Sequence, residues 1–390
     1  MPFDFDREID RHGTNSMKWD RAERFGKPAD ALPLWVADMD FQAPPCVLDA
    51  LRRAADHGIF GYSEPGDTYY KAVSAWFRER FAWEPLPEWL VKTPGVVFAI
   101  SAAVRALTEP GDAVLIQTPV YYPFYTAVRS NGRALVTNEL PYRDGRYEID
   151  FADFEEKIRE NAVKLFILCS PHNPICRVWT REELGRLGEI CRRYGVCVVS
   201  DEIHCDFAFP EHPHTVFPLA CPELAERTVV CTAPSKTFNL AGLQASNIWI
   251  PGEDLRRRFQ KAVDRTGYHE LNLMGLVAAQ AAYAEGGPWL EACKTYLRGN
   301  LDFVRDYLRE KLPEIRLVEP EGTYFAWLDC SALGLDARGL DELVTKRARL
   351  WLDAGEIFGE GGAQFQRVVL ACTRRTLTEA MNRLERAVHT

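Results

Sequence analysis

Long apolar runs, extended basic runs and Cys-x-x-Cys pairs are all missing from this sequence. No apolar stretch approaches the ~20 residues that a membrane-spanning helix needs, and the charged first residues lack the apolar core of a secretory signal. Lys and Arg number 47 against 56 Asp and Glu, which gives a net charge of −9. This acidic balance disfavours nucleic acid and anionic membranes as partners, and we expect a cytoplasmic protein.

The cysteines point to the same compartment. There are eleven, an odd number, and several lie inside apolar, strand-like runs, as Cys169, Cys197 and Cys231 do. Secreted proteins pair their cysteines, and zinc sites need closely spaced ligands. Neither pattern occurs, so we expect buried free thiols and no metal site.

Two phosphate-binding motifs are also missing. Neither Gly-x-Gly-x-x-Gly nor a Walker loop follows a strand-like run, which disfavours nicotinamide and nucleoside triphosphate sites. Strand and helix patterns do alternate between residues 113 and 250, which is typical of βαβ units in a mostly parallel sheet with helices on both faces. The predicted strands are Ala113–Gln117, Ala134–Asn138, Lys164–Cys169, Val196–Ser200, Thr228–Thr232 and Asn247–Ile250.

The 390 residues are enough for two or three domains. We predict an N-terminal segment, residues 1–50, that joins the small domain and the active site. A large α/β domain follows over residues 51–286. Beyond Gly287 long amphipathic helices and separate strands replace the alternation, which predicts a smaller α+β domain over residues 287–390.

Polar residues follow four of the predicted strands, where each strand ends: Tyr121, Tyr122, Asn173, Asp201, His204, Ser235 and Lys236. Ligands bind at this edge of open α/β sheets, so we expect one convergent site. Lys236, in the loop after Thr232, is a candidate amine nucleophile because burial lowers the pKa of a lysine. Each residue has an ordinary alternative, such as a solvated lysine, a turn-forming aspartate or a structural histidine.

Three further features are ambiguous when taken alone. Gly95 precedes an apolar helix, where backbone N–H groups can approach an anion such as phosphate, although an ordinary helix start has the same pattern. Tyr62 lies in a loop, and from the sequence alone its simplest interpretation is a half-buried packing residue. From the sequence alone, Arg367 is interpreted more simply as a surface arginine on a strand.

The combination resembles the pyridoxal-phosphate (PLP) enzymes of fold type I, the aspartate aminotransferase-like superfamily. Asn173 in SPHNP, Asp201 in VSDEIH, Lys236 in APSK and Arg367 carry this resemblance. The chain is most similar to the MalY/PatB group of cystathionine β-lyase-type C–S lyases. Segments that match this group run in its order from residue 10 to residue 366: DRHGTNSMKWD, LWVADMDF, GIFGYSE, KTPGVVFAIS, SDEIHCD, APSKTFNLAGLQAS, EGTYFAWLD and FGEGGAQF.

The resemblance implies a fold and a set of cofactor contacts. The fold is α/β, PLP fold type I, whose large PLP-binding domain has a mostly parallel seven-stranded sheet flanked by helices. Lys236 would hold PLP as a Schiff base and, once freed, would remove the substrate Cα proton. Asp201 would pair with the pyridine nitrogen, and Asn173 would donate to the ring 3′-oxygen. Tyr121 would stack on the ring and steer the leaving group, with Tyr122 as its rival.

The same resemblance implies which residues bind the phosphate group of PLP. The N–H groups of Val96 and Val97 and the hydroxyl of Ser235 would hold it, and Tyr62 would reach it from the other subunit of a homodimer. Many aminotransferases have an arginine eight residues after the lysine that also binds the phosphate. Gln244 stands there, as in the lyase group.

Substrate contacts follow in the same way. Arg367 would grip the substrate α-carboxylate as a bidentate fork, with Ala37, Asn173 and Tyr62 completing the substrate site. His204 occupies a cofactor-binding position at which aminotransferases usually carry tyrosine and the C–S lyase group carries histidine.

Two positions depart from the family pattern. After SPHNP the family has one residue and then glycine, whereas here Ile175 is followed by Cys176. This change predicts an altered turn, since glycine permits backbone angles that cysteine resists. The family has Arg-Leu-Asn where this chain has Arg367, Val368 and Val369. This difference predicts altered surroundings of the guanidinium group that would bind the substrate α-carboxylate.

The resemblance implies a homodimeric PLP enzyme that cleaves a carbon–sulfur bond by α,β-elimination. Its substrate would be L-cystathionine or another L-cysteine S-conjugate. An aminotransferase of a small or aromatic amino acid is the first alternative. A related elimination or replacement enzyme with another leaving group, and a non-catalytic protein that keeps the fold, are the others.

Overall fold

The computed structural model describes residues 3–390, and its strands fall into one large and several small sheets. The strands are β1 Leu32–Pro33, β2 Leu90–Thr93, β3 Ala113–Thr118, β4 Ala134–Glu139, β5 Tyr142–Arg143, β6 Arg146–Tyr147, β7 Leu165–Cys169, β8 Cys197–Asp201, β9 Thr228–Thr232, β10 Ser246–Trp249, β11 Arg316–Val318, β12 Phe325–Asp329, β13 Leu350–Trp351, β14 Asp353–Ala354 and β15 Phe365–Val369. Within residues 3–390 the large sheet has seven strands, in the order β2-β10-β9-β8-β7-β3-β4.

Helices cover this sheet on both faces, and further helices pack on the C-terminal sheet. They are α1 Pro45–His57, α2 Asp67–Phe81, α3 Val96–Leu107, α4 Pro123–Arg129, α5 Phe151–Asn161, α6 Arg181–Tyr194, α7 Phe217–Ala220, α8 Pro234–Thr237, α9 Glu253–Asp264, α10 Leu273–Glu285, α11 Gly287–Lys311, α12 Ala337–Asp341 and α13 Arg374–His389. One face packs on α3 and α9, and the other packs on α5 and α6. The central strands β3, β7, β8 and β9 are therefore buried along their whole length, as parallel strands between helix layers are.

The fold predicted from the sequence is confirmed. The six predicted strands are β3, β4, β7, β8, β9 and β10, each within one residue of its predicted ends. Only β10 runs antiparallel to its neighbours β9 and β2 in the large sheet of the described chain. The seventh strand, β2, was not predicted because it is a four-residue edge strand that contains Lys92 and is only half buried.

The C-terminal part forms an antiparallel sheet in the order β11-β12-β15-β14. Its apolar side packs on α11 and α13. In the N-terminal segment, β1 pairs with β13, and the chain then passes beside the carboxyl end of the large sheet. The domain boundaries at residues 50 and 286 stay a prediction. No helix within residues 3–390 combines the length and the apolar character that crossing a membrane requires.

Candidate functional site

A cavity of about 420 Å³ opens at the carboxyl ends of the large sheet. Its position is the one that the topology of an open α/β sheet favours for ligand binding. Nine of the residues predicted for the site line this cavity: Ala37, Val96, Val97, Tyr121, Asn173, Asp201, His204, Ser235 and Lys236.

Lys236 is the one amine among them. It follows β9 and lies on the one-turn helix α8, not in a loop as predicted, because Pro234 suits a first helical position. Its Nζ donates a hydrogen bond to the carbonyl oxygen of Ala37 at 2.8 Å. Burial lowers the pKa of Lys236 to about 8, although Asp38 raises it in opposition. About a tenth of this amine is therefore neutral and nucleophilic at pH 7, several hundred times the neutral fraction of an ordinary lysine.

This shift predicts the pH dependence of Lys236 in the cofactor-free chain. The neutral fraction rises with pH, so its reaction with formaldehyde and borohydride is expected to reach half its maximal rate near pH 8, below the ordinary lysine pKa of 10.5. Peptide mass spectrometry would follow the reaction site by site. Lys346, which is 70% exposed, is the control. A midpoint for Lys236 equal to that of Lys346 would contradict the burial argument.

Asp201 ends strand β8 and faces the same cavity. Burial raises the pKa of its carboxyl to about 7, and the positive charge of Lys236 counteracts this only partly. Its Oδ1 accepts a hydrogen bond from the N–H of Ile203 at 3.2 Å. A buried carboxylate of this kind gains most from a cationic N–H donor in the cavity. The protonated pyridine ring of PLP is such a donor.

Arg367 reaches the site through Asn173. Its side chain is 3% exposed, and one terminal nitrogen donates to Asn173 Oδ1 at 2.7 Å. The other donates to the carbonyl oxygen of Trp35 at 2.8 Å and forms an ion pair with Asp353. The buried Nε has no hydrogen-bond partner within residues 3–390. An unsatisfied buried donor on a guanidinium group that also contacts Asn173 is suited to a substrate carboxylate.

His204 and Tyr121 form further walls of the cavity. The ring of His204 packs edge-on against Tyr324 and Phe325, and its Nδ1 has no partner in the described part of the chain. Burial lowers the pKa of His204 well below its ordinary value, so the ring is neutral. Tyr121 lines the cavity whereas Tyr122 does not, which favours Tyr121 as the residue that stacks on a bound ring.

The start of α3 offers an anion site. The helix begins at Val96 after Gly95, and none of the side chains in residues 3–390 caps it. Free N–H groups at a helix start attract phosphate through hydrogen bonds and the helix dipole. Ser235 and Gln244 line the same cavity. Together with Lys236 and Asp201, this arrangement fits PLP.

Tyr62 is not brought into this cavity. It is 96% exposed and lines a neighbouring depression, which shares Pro94 and Gln244 with the cavity wall. Contact with the cofactor of another subunit stays a prediction for Tyr62.

The structure places both departures from the family pattern close to the site. Cys176 is buried and adopts φ of 59°, the left-handed conformation that favours glycine. The turn after Asn173 therefore holds a cysteine in a conformation that costs a side-chain-bearing residue more than glycine. Val369 is buried in the apolar core, and its N–H donates to the carbonyl oxygen of Leu34.

Three residues near the site have no predicted role. Asp353 pairs with Arg367, Tyr324 donates to the Ala37 carbonyl oxygen, and Asn239 binds the backbone of Met39. Asn239 and Tyr324 lie in segments that match the family, and that match was the only signal in the sequence that could have identified them.

Comparison with known proteins places the chain in a family. The pattern of the aminotransferase class I and II family matches residues 29–384. The chain is 45% identical over 384 residues to cystathionine beta-lyase PatB of Bacillus subtilis, covering 98% of this chain and 99% of PatB. Protein MalY of Escherichia coli is 34% identical, with 99% of each chain covered.

A solved structure agrees with these matches. Cystalysin from Treponema denticola, which contains a pyridoxal 5′-phosphate cofactor, is 38% identical, with a TM-score of 0.96 and coverage of 100% of this chain and 99% of cystalysin. The predicted family, fold type and cofactor are thus confirmed. The chain belongs to the aminotransferase class I and II family, in the PLP-dependent group of carbon–sulfur lyases that contains PatB and MalY.

Proposed function

We propose that the chain cleaves L-cysteine S-conjugates by α,β-elimination, with L-cystathionine or a close relative as substrate. One observation carries the proposal: a lysine amine with a pKa of about 8 shares a cavity with the Asp201 carboxylate and with Asn173, which holds Arg367. In this proposal Lys236 is the base, and Arg367 with Asn173 is the anchor for the α-carboxylate. The name of PatB, cystathionine beta-lyase, supports the substrate class.

Each residue of the site has a separate role in the proposed reaction. Bound PLP supplies a ring that withdraws electrons from the substrate Cα. Asp201 would keep the ring nitrogen protonated, and Tyr121 would stack on the ring. Arg367 and Asn173 bind the α-carboxylate and thereby direct the Cα–H bond towards Lys236. The amine of Lys236 takes the Cα proton.

The proposed elimination needs no added oxidant or keto acid. Loss of the Cα proton and of the thiolate from Cβ leaves a carbon–carbon double bond in the released aminoacrylate. The thiolate gains a proton, and one water converts aminoacrylate to pyruvate and ammonium. An apolar cavity wall that includes Val96, Phe98 and Ile203 limits water around the reacting atoms.

The direct test is pyruvate release from L-cystathionine by the PLP-loaded protein, with no keto acid present. We expect pyruvate and thiol in equal amounts and no reaction with D-cystathionine, because Lys236 and the carboxylate anchor fix one face of Cα. Turnover that requires a keto acid and yields no pyruvate would replace this proposal with the aminotransferase alternative.

We further propose a homodimer in which Tyr62 contacts the phosphate of the partner's cofactor. The loop that contains Tyr62 supports this, since Ile59, Phe60 and Tyr62 are 67%, 63% and 96% exposed. Exposed apolar residues that lie together typically mark an interface. In a symmetric dimer each loop would reach the other subunit's site.

Mixed dimers test this arrangement. Tyr62→Ala and Lys236→Ala chains, each inactive alone, are expected to regain activity when unfolded and refolded together. One site of each mixed dimer would have both native residues, so random pairing predicts roughly a quarter of wild-type activity. Size-exclusion chromatography with light scattering would establish the dimer. Absence of complementation in a dimer would show that Tyr62 acts within its own subunit.

We also propose a cytoplasmic location. All eleven cysteines, each within the described residues, are free, and ten of them are buried. Such thiols suit a reducing compartment. Cell fractionation would test this, and recovery of the protein with the secreted fraction would contradict it.

A further inference from the structure

The carbonyl oxygen of Ala37 accepts two hydrogen bonds inside the site. Lys236 Nζ donates to it at 2.8 Å, and the hydroxyl of Tyr324 donates at 3.2 Å. A carbonyl oxygen has two lone pairs, so these two donors complete its capacity. The Lys236 amine and the Tyr324 hydroxyl are therefore joined through one backbone atom.

Both ends of this arrangement are fixed. The ring of Tyr324 is 1% exposed and is held edge-on by Phe207 and Phe325, with ring centroids at 4.9 Å in both contacts. Its hydroxyl consequently has a fixed direction. Burial raises the pKa of Tyr324 far above its ordinary value, which keeps this hydroxyl a donor at every working pH.

The backbone around Ala37 is held from the large-sheet side as well. Asn239, three residues after Lys236, accepts a hydrogen bond from the N–H of Met39 and donates to the carbonyl oxygens of Met39 and Phe41, each at 2.9 Å. Asn239 fixes the segment after Ala37, but Tyr324 is the side chain that fixes the carbonyl oxygen itself.

We infer that Tyr324 is a positioning residue for proton transfer: by holding the Ala37 carbonyl oxygen, it orients the amine of Lys236 towards the substrate Cα. This rests on the proposed role of Lys236 as the base. When the amine is free, its N–H bond to Ala37 fixes the direction of its lone pair. Tyr324 holds the Ala37 carbonyl oxygen in place when the Lys236 amine is not bonded to it. The amine therefore re-forms its hydrogen bond to that oxygen in the same position.

The test uses a reaction that needs the base but no leaving group. PLP-loaded protein is expected to exchange the Cα proton of L-alanine in D2O, and NMR would follow this exchange directly. Tyr324→Phe removes only the hydroxyl, and we expect exchange at saturation to slow about tenfold, the factor for one positioning hydrogen bond. The half-saturating alanine concentration should stay unchanged.

Tyr69→Phe is the matched control. Tyr69 is also fully buried, and its hydroxyl donates to Asn247, away from the cavity lining. Both variants should keep the visible absorbance of bound PLP and lose similar thermal stability, but only Tyr324→Phe should exchange slowly. Exchange in Tyr324→Phe within twofold of the control, or loss of its PLP absorbance, would overturn the inference.

The wild-type result separates two failures. No alanine exchange in wild type would remove the base that Tyr324 is inferred to position, and the inference would fall. Normal exchange with a slow Tyr324→Phe variant, but no pyruvate from L-cystathionine, would support the inference and reject only the proposed substrate.

Discussion

Lys236→Ala is expected to abolish the visible absorbance of lysine-bound PLP and to lower pyruvate release by at least about 10⁴-fold, because one residue supplies both the covalent attachment and the base. The variant should still fold, since the Lys236 amine donates only to a backbone carbonyl oxygen and forms no ion pair within residues 3–390. Absorbance spectra, circular dichroism and pyruvate release would measure the three effects on one preparation. Added methylamine is expected to restore part of the proton transfer.

The control distinguishes this lysine from others. Lys346→Ala removes an exposed amine whose only ion pair is with Glu342 in the described chain, and it should change none of the three readings. Lys18 is more deeply buried, but its Nζ donates to Asp40 at 2.8 Å and is therefore committed to a charge cluster. Retention of lysine-bound PLP by Lys236→Ala would mean that another lysine holds the cofactor.

The large sheet could be predicted because its sequence signals are local. Buried parallel strands are continuous apolar runs, and the polar residues after them identify where each strand ends. Sheet topology then brings those ends together, so Asn173, Asp201 and Lys236 could be predicted to converge although they are far apart along the chain. Their individual roles rested on the family resemblance, and they remain proposals.

Contacts made by other segments could not be predicted in this way. Asp353 meets Arg367 only because β14 and β15 pair in a register that places the two residues opposite each other. A two-residue strand carries no periodicity, so its register is invisible in the sequence. Tyr324 meets Ala37 across 287 residues, which likewise depends on how the N-terminal segment lies against the C-terminal sheet.

Arg367→Ala is expected to destabilise the fold by about 3–5 kcal/mol, because it leaves the buried carboxylate of Asp353 without its cationic partner. Burial already raises the pKa of Asp353, and the charge of Arg367 is what opposes this rise. Without Arg367, the pKa of Asp353 in the folded state is expected to rise further. The folded variant then binds a proton more tightly than the unfolded chain, so its stability should recover as pH falls and decline as pH rises. Urea unfolding between pH 5 and 8 would measure this.

A double variant separates stability from substrate binding. In Arg367→Ala/Asp353→Ala both charges are gone, so most of the lost stability and its pH dependence should disappear. The α-carboxylate anchor is still missing, and the half-saturating substrate concentration should stay raised by roughly 100-fold in both variants, as expected for loss of charged hydrogen bonds. If substrate binding recovered together with stability, Arg367 would be a structural partner of Asp353, and the carboxylate would have to bind elsewhere, beside Asn173.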